Sequence, residues 1–213
     1  MKSVIAFDLD GTLVDSVGDI AHALNAALAE FDRSPLDLDE VRELIGNGAR
    51  NLVAKALDEE RDVDDVLKRF RAHYDAAPLK HTVPFPGVID VLKAVRAAGF
   101  ATAVATNKPS APAKAIVSAL FAGLLDVVIG PEDANGSLKP HPAQLHAAAR
   151  ALGGAHACKI ACMVGDSGVD KDTAQNANVP FIGVAWGLRP AELAGCDVAK
   201  DGRDLARLLA RLS

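Results

Sequence analysis

The sequence predicts an α/β protein in which an inserted helical bundle interrupts a doubly wound parallel sheet. Three observations predict this fold: short apolar runs alternate with helical patterns from Phe85 onwards, another such run stands at Val4, and residues 15–82 show only helical patterns. Strands that alternate with helices favour a parallel sheet covered on both faces, and right-handed crossovers make that sheet doubly wound. We therefore expect a core domain of residues 1–14 and 83–213 and a helical domain of residues 15–82.

The core elements are predicted from two kinds of pattern. Uninterrupted apolar runs predict strands, as in Val4 to Phe7, and apolar residues three and four positions apart predict helices, as at 88, 91, 92 and 95. Gly99 is a typical helix stop. The later elements predicted in this way are a helix at 88–98, a strand at 101–105, a helix at 110–120, a strand at 126–130, a helix at 142–152, a strand at 160–164, a helix at 168–177, a strand at 181–185 and a terminal helix at 202–212.

The inserted segment has few β-branched runs, and charged residues alternate there with Leu, Val and Ala. This composition predicts helices at about 17–31, 37–45, 48–58 and 62–76. The two connections to the core, near Asp15 and near 82–87, are the expected hinges.

Composition and charge exclude several classes of function. Half of the 213 residues are apolar, which suits a sizeable core. The formal net charge is −5 and the basic residues are scattered, so nothing in the charge pattern favours nucleic-acid binding. No apolar run approaches the roughly 18 residues of a membrane span, and the run before Asp8 is too short for a secretory signal. We expect a cytoplasmic protein, monomeric or homodimeric, that binds neither nucleic acid nor a membrane.

Two carboxylates directly follow the first predicted strand. Asp8 ends the apolar run, Asp10 stands two residues later, and Gly11 and Thr12 suit a tight turn. Buried carboxylates need a partner or a metal ion. Two acids placed in this way can hold a hard divalent cation, with one free to attack a substrate and the other able to move a proton. A polar turn after an edge strand is the alternative interpretation.

Further polar residues follow later predicted strands. Thr106 and Asn107 come after the strand at 101–105, and Asp166 comes after the strand at 160–164. The carboxyl ends of parallel strands meet at one edge of a sheet, so these residues are expected beside Asp8. Asp170 lies one helical turn after Asp166, where an acid also suits the first turn of a helix. Lys139 precedes a proline, a position that also suits a surface turn, and it becomes a candidate only through the resemblance given next.

These stretches together resemble the four signatures of the haloacid dehalogenase superfamily, in its phosphatase branch, and the resemblance covers essentially the whole chain. It implies a Rossmann-like core with an inserted C1-type α-helical cap. In such an enzyme Asp8 is the nucleophile, Asp10 the general acid and base, Thr106 a donor to a phosphoryl oxygen, and Lys139 a cation that neutralises the nucleophile and the phosphoryl group. The resemblance further implies Mg²⁺ held by Asp8, Asp10 and Asp166, with support from Asp170 through an ion pair with Lys139.

Within that superfamily the sequence is most similar to the bacterial phosphoglycolate phosphatases, through its Asp-Gly-Thr-Leu-Val-Asp-Ser, Ile-Gly-Asn-Gly-Ala, Thr-Asn-Lys-Pro and Lys-Pro-His-Pro stretches. This resemblance implies a small phosphorylated metabolite as partner, and hydrolysis of 2-phosphoglycolate to glycolate and phosphate. The Ile-Gly-Asn-Gly-Ala stretch contains Gly46 and Gly48, which let the backbone approach a ligand closely, and it is followed by Arg50, which can bind a second anionic group. The alternative interpretation of this segment is a loop between two helices with an exposed Arg50. The residues expected to contact substrate are Thr12, Asn107, Gly46, Asn47, Gly48 and Arg50.

Other functions fit the same signatures. They include a sugar-phosphate phosphatase, a phosphotransferase similar to β-phosphoglucomutase, and a phosphonatase, which would need a cap lysine such as Lys55 or Lys68 to form a Schiff base. The non-enzymatic alternative is a regulatory module that binds phosphate without turnover. The intact set of Asp8, Asp10, Thr106, Lys139 and Asp166 favours an enzyme.

Overall fold

A six-stranded parallel sheet lies at the centre of the computed structural model, which describes residues 3–58, 61–77, 79–154 and 156–212. In chain order the strands are β1 (Val4–Phe7), β2 (Val14–Asp15), β3 (Val83–Pro84), β4 (Ala101–Ala105), β5 (Val127–Ile129), β6 (Ile160–Gly165), β7 (Phe181–Val184) and β8 (Asp197–Ala199). The parallel sheet has the order β5-β4-β1-β6-β7-β8, while β2 and β3 form a separate antiparallel pair.

Strand β1 occupies the interior of the sheet, between β4 and β6. All four of its residues are fully buried, because helices cover both faces of the sheet. A continuous apolar run is typical of a strand in that position. The carboxyl ends of β4, β1 and β6 are therefore neighbours, and this arrangement positions the site described below.

The helices are α1 (Val17–Ala29), α2 (Leu38–Leu44), α3 (Ala49–Leu57), α4 (Val63–Ala76), α5 (Val88–Ala97), α6 (Ser110–Leu120), α7 (Ala143–Gly153), α8 (Gly168–Asn176) and α9 (Gly202–Leu209). One face of the sheet packs against α5, α6 and α9, where Ile5 and Phe7 contribute to the apolar cluster. The opposite face packs against α7 and α8, with Val4 and Ala6 turned towards them. The doubly wound α/β fold predicted from the sequence is thus confirmed.

Helices α1 to α4 share an apolar cluster of their own. Leu24, Val41, Val53 and Val66 are fully buried in it. Leu188, from the loop after β7, also belongs to this cluster. The amphipathic patterns of the inserted segment thus reflect packing of these four helices on one another.

Most predicted elements lie within one or two residues of the observed ones, and the differences concern short elements. The pair β2 and β3 and the strand β8 were not predicted, because two or three residues are too few to show a periodic pattern. The predicted terminal helix is α-helical only to Leu209 and ends in a 3₁₀ turn, Ala210–Leu212. In the part of the chain that the structure describes, none of the helices has the length and apolar character needed to span a membrane.

Asp19 ties α1 to the segment that returns to the core. Its carboxylate is 3 % exposed and accepts hydrogen bonds from the His81 backbone N–H at 2.8 Å, the Thr82 backbone N–H at 2.8 Å and the Thr82 hydroxyl at 2.6 Å. One side chain therefore satisfies three donors beside the β2–β3 pair.

We expect Asp19→Ala to lower the free energy of unfolding by about 3 kcal/mol, because the substitution leaves buried donors without an acceptor. Denaturant unfolding followed by circular dichroism measures the change. Asp172→Ala, which removes an exposed carboxylate on α8, is the control and is expected to change it by less than about 0.5 kcal/mol. Equal effects of the two substitutions would show that Asp19 is not a structural tie.

Candidate active site

The polar residues predicted to meet at the edge of the sheet do so. Asp8 follows β1, Thr106 follows β4 and Asp166 follows β6, and these three strands are neighbours. The Asp8 backbone N–H donates to the Val164 carbonyl at 2.9 Å, so the sheet ladder continues to the first residue of the site. Ligands of open α/β sheets bind beyond the carboxyl ends of the strands, which is where these side chains lie.

Three carboxylates and one ammonium group form the centre of the site. One carboxylate oxygen from each of Asp8, Asp166 and Asp170 lies within 4.8 Å of the others. The Nζ atom of Lys139 is 2.7 Å from the Asp8 carboxylate and 2.7 Å from the Asp170 carboxylate. The ion pair expected between Lys139 and Asp170 is therefore present, and Lys139 bridges Asp170 to Asp8.

Burial and mutual repulsion set the protonation of this cluster. Burial raises the pKa of Asp8 to about 7 against the opposing effect of Lys139, and burial together with the Asp170 charge raises the pKa of Asp166 to about 8. Burial alone would lower the pKa of Lys139, but the Asp170 and Asp8 carboxylates outweigh it and hold that pKa above its usual value. Negative charge is thus in excess at this point. A set of carboxylate oxygens with excess negative charge is chemically suited to a hard divalent cation.

Hydrogen bonds from residues at the start of α8 fix the Asp170 carboxylate. It is fully buried, and it accepts hydrogen bonds from the Ser167 hydroxyl at 2.7 Å and from the backbone N–H groups of Asp166 and Ser167 at 3.2 Å. Ser167 and Asp170 form a capping box at this helix end. The alternative role of Asp170, a favourable charge in the first turn of a helix, and its ion pair with Lys139 therefore coexist.

Asp166 is fixed from two sides. The Thr12 hydroxyl donates to one carboxylate oxygen at 2.9 Å, and the Leu188 backbone N–H donates to the other at 2.7 Å. Gly11 and Gly187 pack so closely on this carboxylate that a Cβ at either position would overlap it. Thr12, predicted to contact substrate, orients Asp166 in the structure.

Asp10 lies in a network that the sequence did not reveal. It accepts a hydrogen bond from the Ser16 hydroxyl at 2.5 Å, and the Nζ atom of Lys108 is 3.1 and 3.2 Å from its two oxygens. Burial would lower the pKa of Lys108, yet the Asp10 carboxylate outweighs it and raises that pKa above its usual value. The position of Lys108 directly after Thr106 and Asn107 was the signal that could have found it.

Asn107 joins three parts of the site. Its side-chain amide donates to the Gly46 carbonyl and to the Lys139 carbonyl, both at 3.2 Å, and its oxygen accepts from the Lys139 backbone N–H at 2.7 Å. The buried Thr106 hydroxyl accepts from the Lys108 backbone N–H at 3.2 Å. Asn107 therefore positions the segment of Lys139 and also contacts the glycine loop between α2 and α3.

A cavity of about 280 Å³ opens above these groups, between the sheet edge and helices α1, α3 and α4. Its lining contains six of the residues predicted for the site: Asp8, Asp10, Thr106, Asn107, Gly46 and Gly48. Lys139, Asp166 and Asp170 lie beneath it, buried behind Asp8. The helices contribute mainly apolar side chains, together with Arg71, Tyr74 and Asp75 from α4.

Arg50 and Asn47 lie outside this lining. Arg50, the second residue of α3, is 55 % exposed at its side chain and pairs with Asp64 in the first turn of α4 at 3.4 Å. Its placement agrees with the alternative interpretation of an exposed arginine beside a loop. The arginine that does line the cavity is Arg71, which the sequence analysis missed.

The comparisons with known proteins agree with this geometry. The sequence profile of the haloacid dehalogenase-like hydrolases matches residues 5–184. The chain belongs to the haloacid dehalogenase-like hydrolases. This membership confirms the resemblance noted in the sequence and makes the chain a hydrolase.

Relatives of this hydrolase extend over most of its length. A phosphoglycolate phosphatase of Rhodospirillum rubrum is 41 % identical over 98 % of this chain and 90 % of its own length. A phosphoglycolate phosphatase of Colwellia psychrerythraea is 37 % identical over 90 % of this chain and 88 % of its own length. A crystal structure from Lactobacillus delbrueckii subsp. bulgaricus has a TM-score of 0.86 at 26 % identity and covers 98 % of this chain and 97 % of that chain.

We expect Lys139→Met to lower the free energy of unfolding of this hydrolase by about 3–5 kcal/mol, because Asp8 and Asp170 lose the cation between them. Denaturant unfolding without divalent cations measures the loss. The double variant Lys139→Met/Asp170→Asn is expected to recover part of it, since one uncompensated charge is also removed. A double variant that is no more stable than Lys139→Met would contradict the bridging role of Lys139.

Proposed function

We propose that this hydrolase is a magnesium-dependent phosphomonoesterase that acts through an aspartyl-phosphate, and that it hydrolyses 2-phosphoglycolate to glycolate and phosphate. The observation that carries the proposal is the placement of Asp8 at the floor of the cavity, with Lys139 at 2.7 Å and Asp10 and Thr106 in the same lining. The phosphoglycolate phosphatase relatives support the choice of substrate.

In the first step an Asp8 carboxylate oxygen attacks phosphorus, and the bond between phosphorus and the leaving oxygen breaks. Lys139 stabilises the negative charge that gathers around the nucleophile and the phosphoryl oxygens. The Thr106 hydroxyl, at the end of the neighbouring strand, donates to a phosphoryl oxygen. These roles require positioning of charge at fixed distances, which the edge of a rigid sheet provides.

Asp10 acts on the leaving group and then on water. As general acid it gives its proton to the leaving alkoxide, and as general base it takes a proton from the water that hydrolyses the aspartyl-phosphate. Asp8 is thereby regenerated and inorganic phosphate is released. Ser16 and Lys108 hold the Asp10 carboxylate in the cavity beside Asp8 during these transfers.

The carboxylate cluster fits Mg²⁺ better than softer metals, because all its donor atoms are oxygens. Asp8, Asp166 and the Asp10 backbone carbonyl would hold the ion, with Asp170 as support through Lys139. When bound, Mg²⁺ supplies positive charge against the phosphoryl oxygens.

The helical segment serves as a cap in this proposal. Residues 15–82 form the cap domain, residues 1–14 and 83–213 form the core domain, and the hinges lie near Asp15 and near 82–87. The cavity between α1, α3, α4 and the sheet edge is where the cap would exclude water from the reaction.

The cap lysines give no support to a phosphonatase. Lys55 and Lys68 are exposed, and neither lines the cavity of the described structure. A Schiff base needs a lysine next to the substrate carbonyl. The position of these two lysines therefore favours the phosphatase.

We expect phosphate release from 2-phosphoglycolate to exceed release from hexose phosphates, pentose phosphates, pyrophosphate and phosphonoacetaldehyde, and to stop when a chelator removes Mg²⁺. Asp8→Asn is expected to abolish release, by more than about 1,000-fold, while far-ultraviolet circular dichroism remains unchanged. A preference for another phosphate compound would support the proposed mechanism but would show that 2-phosphoglycolate is not the preferred substrate. Activity that requires a bisphosphorylated activator would favour a mutase, and turnover by Asp8→Asn would refute the nucleophile assignment.

We expect Mg²⁺ to raise the melting temperature of the free protein, because it binds the folded carboxylate cluster and offsets its excess negative charge. Differential scanning fluorimetry with and without about 10 mM Mg²⁺ measures the rise. Asp166→Asn is expected to remove most of it, whereas Asp172→Asn, at an exposed acid, keeps it. An equal rise in both variants would place the ion elsewhere.

A further inference from the structure

We propose that Tyr74 and Arg71, both on α4, form the subsite that binds the carboxylate of the leaving group. The inference rests on the proposed phosphomonoesterase function and adds the residues that select its substrate. It assigns a role to the wall of the cavity that faces Asp10.

Tyr74 provides the first argument. The residue is 5 % exposed and lines the cavity, and the Lys108 ammonium group is the neighbour of its buried hydroxyl. An ammonium group can only donate, so the hydroxyl proton has no acceptor among the described residues. A buried hydroxyl proton without an acceptor is unfavourable, and such groups are rare in folded proteins. A ligand oxygen in the cavity would satisfy it.

Arg71 provides the second argument. It lies three residues before Tyr74, one turn away on the same face of α4, and it also lines the cavity. No carboxylate of the described residues forms an ion pair with it, in contrast to Arg69 on the same helix, which pairs with Glu30. Arg71 is exposed and keeps its donors free for a ligand at the mouth of the cavity.

The position of Tyr74 relative to Asp10 indicates which part of the substrate it meets. The Nζ atom of Lys108 lies 4.5 Å from the centre of the Tyr74 ring and 3.1 Å from the Asp10 carboxylate. Asp10 is the group that protonates the leaving oxygen, so the remainder of the leaving group extends along this wall. In 2-phosphoglycolate that remainder is one carbon and a carboxylate.

The other cap residues of the lining leave few alternatives for recognition. Ile20, Ile45, Leu52 and Phe70 are apolar and cannot bind a carboxylate. Asp75, one turn after Arg71, limits the excess of positive charge on this wall. Lys108, a core cation of the same lining, is already paired with Asp10 at 3.1 Å. Within the cap, recognition therefore depends on directed donation by the Tyr74 hydroxyl and the Arg71 guanidinium rather than on net charge.

The test compares two substrates that differ only in the carboxylate, 2-phosphoglycolate and ethyl phosphate. We expect Tyr74→Phe and Arg71→Gln each to lower kcat/KM for 2-phosphoglycolate by about 10- to 100-fold, the value of a hydrogen bond to a charged group, and to change kcat/KM for ethyl phosphate by less than about 2-fold. Phenylalanine keeps the ring beside Lys108, so a purely structural role would not separate the two substrates. Lys68→Gln removes an exposed charge from α4 outside the cavity and is expected to leave both values unchanged.

Equal losses on both substrates, or unchanged turnover of 2-phosphoglycolate, would overturn the subsite. Calorimetric binding of both compounds to Asp8→Asn protein, with and without Tyr74→Phe, separates this failure from failure of the proposed function. Weaker binding of 2-phosphoglycolate alone supports the subsite even if the wild-type enzyme releases no phosphate. If 2-phosphoglycolate binds no more tightly than ethyl phosphate, the subsite is refuted whatever the enzyme hydrolyses.

Discussion

The Lys139 ammonium group lies between two carboxylates at the edge of the sheet, and the remainder of the site depends on this contact. A buried charge is strongly unfavourable unless it is paired, and Asp170 is fully buried. Lys139 stabilises Asp170 and Asp8 together, with 2.7 Å to each. Three separate elements maintain the contact: β1 presents Asp8, the capping box of α8 holds Asp170, and Asn107 binds the Lys139 backbone on both sides.

The same edge also connects the carboxylate cluster to the inserted helices. The Leu188 backbone N–H binds Asp166, while the Leu188 side chain packs in the apolar cluster of α1 to α4. The next residue, Arg189, pairs with Glu43 on α2. One short loop therefore contacts both the acid beneath the cavity and the helices above it. A movement of the helices would therefore change the position of Asp166 through two adjacent residues, Leu188 and Arg189, without a long chain of contacts.

The residues that could be predicted from the sequence are those whose position follows from the strands. Asp8, Thr106 and Asp166 end apolar runs, and parallel strands bring such ends together whatever the loops do. Tyr74 could not be found in this way. It continues the stripe of Val63, Val66 and Phe70 on α4, a pattern typical of core packing, and only the tertiary arrangement makes it part of the cavity lining. Arg50 lies outside the cavity lining, because proximity to glycines in sequence does not fix the direction of a side chain at a helix start.

Strand-end residues can be predicted from the sequence and the α4 residues cannot, and the physical reason for this difference also bears on substrate selection. The phosphoryl chemistry needs charges at fixed distances, and the hydrogen-bonded ladder of β4, β1 and β6 holds them rigidly. A change there disturbs paired buried charges and costs stability. The wall formed by α4 carries no such constraint, because Arg71 and Tyr74 are not needed by the carboxylate cluster. If α4 recognises the leaving group as proposed, substitutions there can change the substrate without loss of the catalytic arrangement. Strand-end motifs then identify the reaction more readily than the substrate.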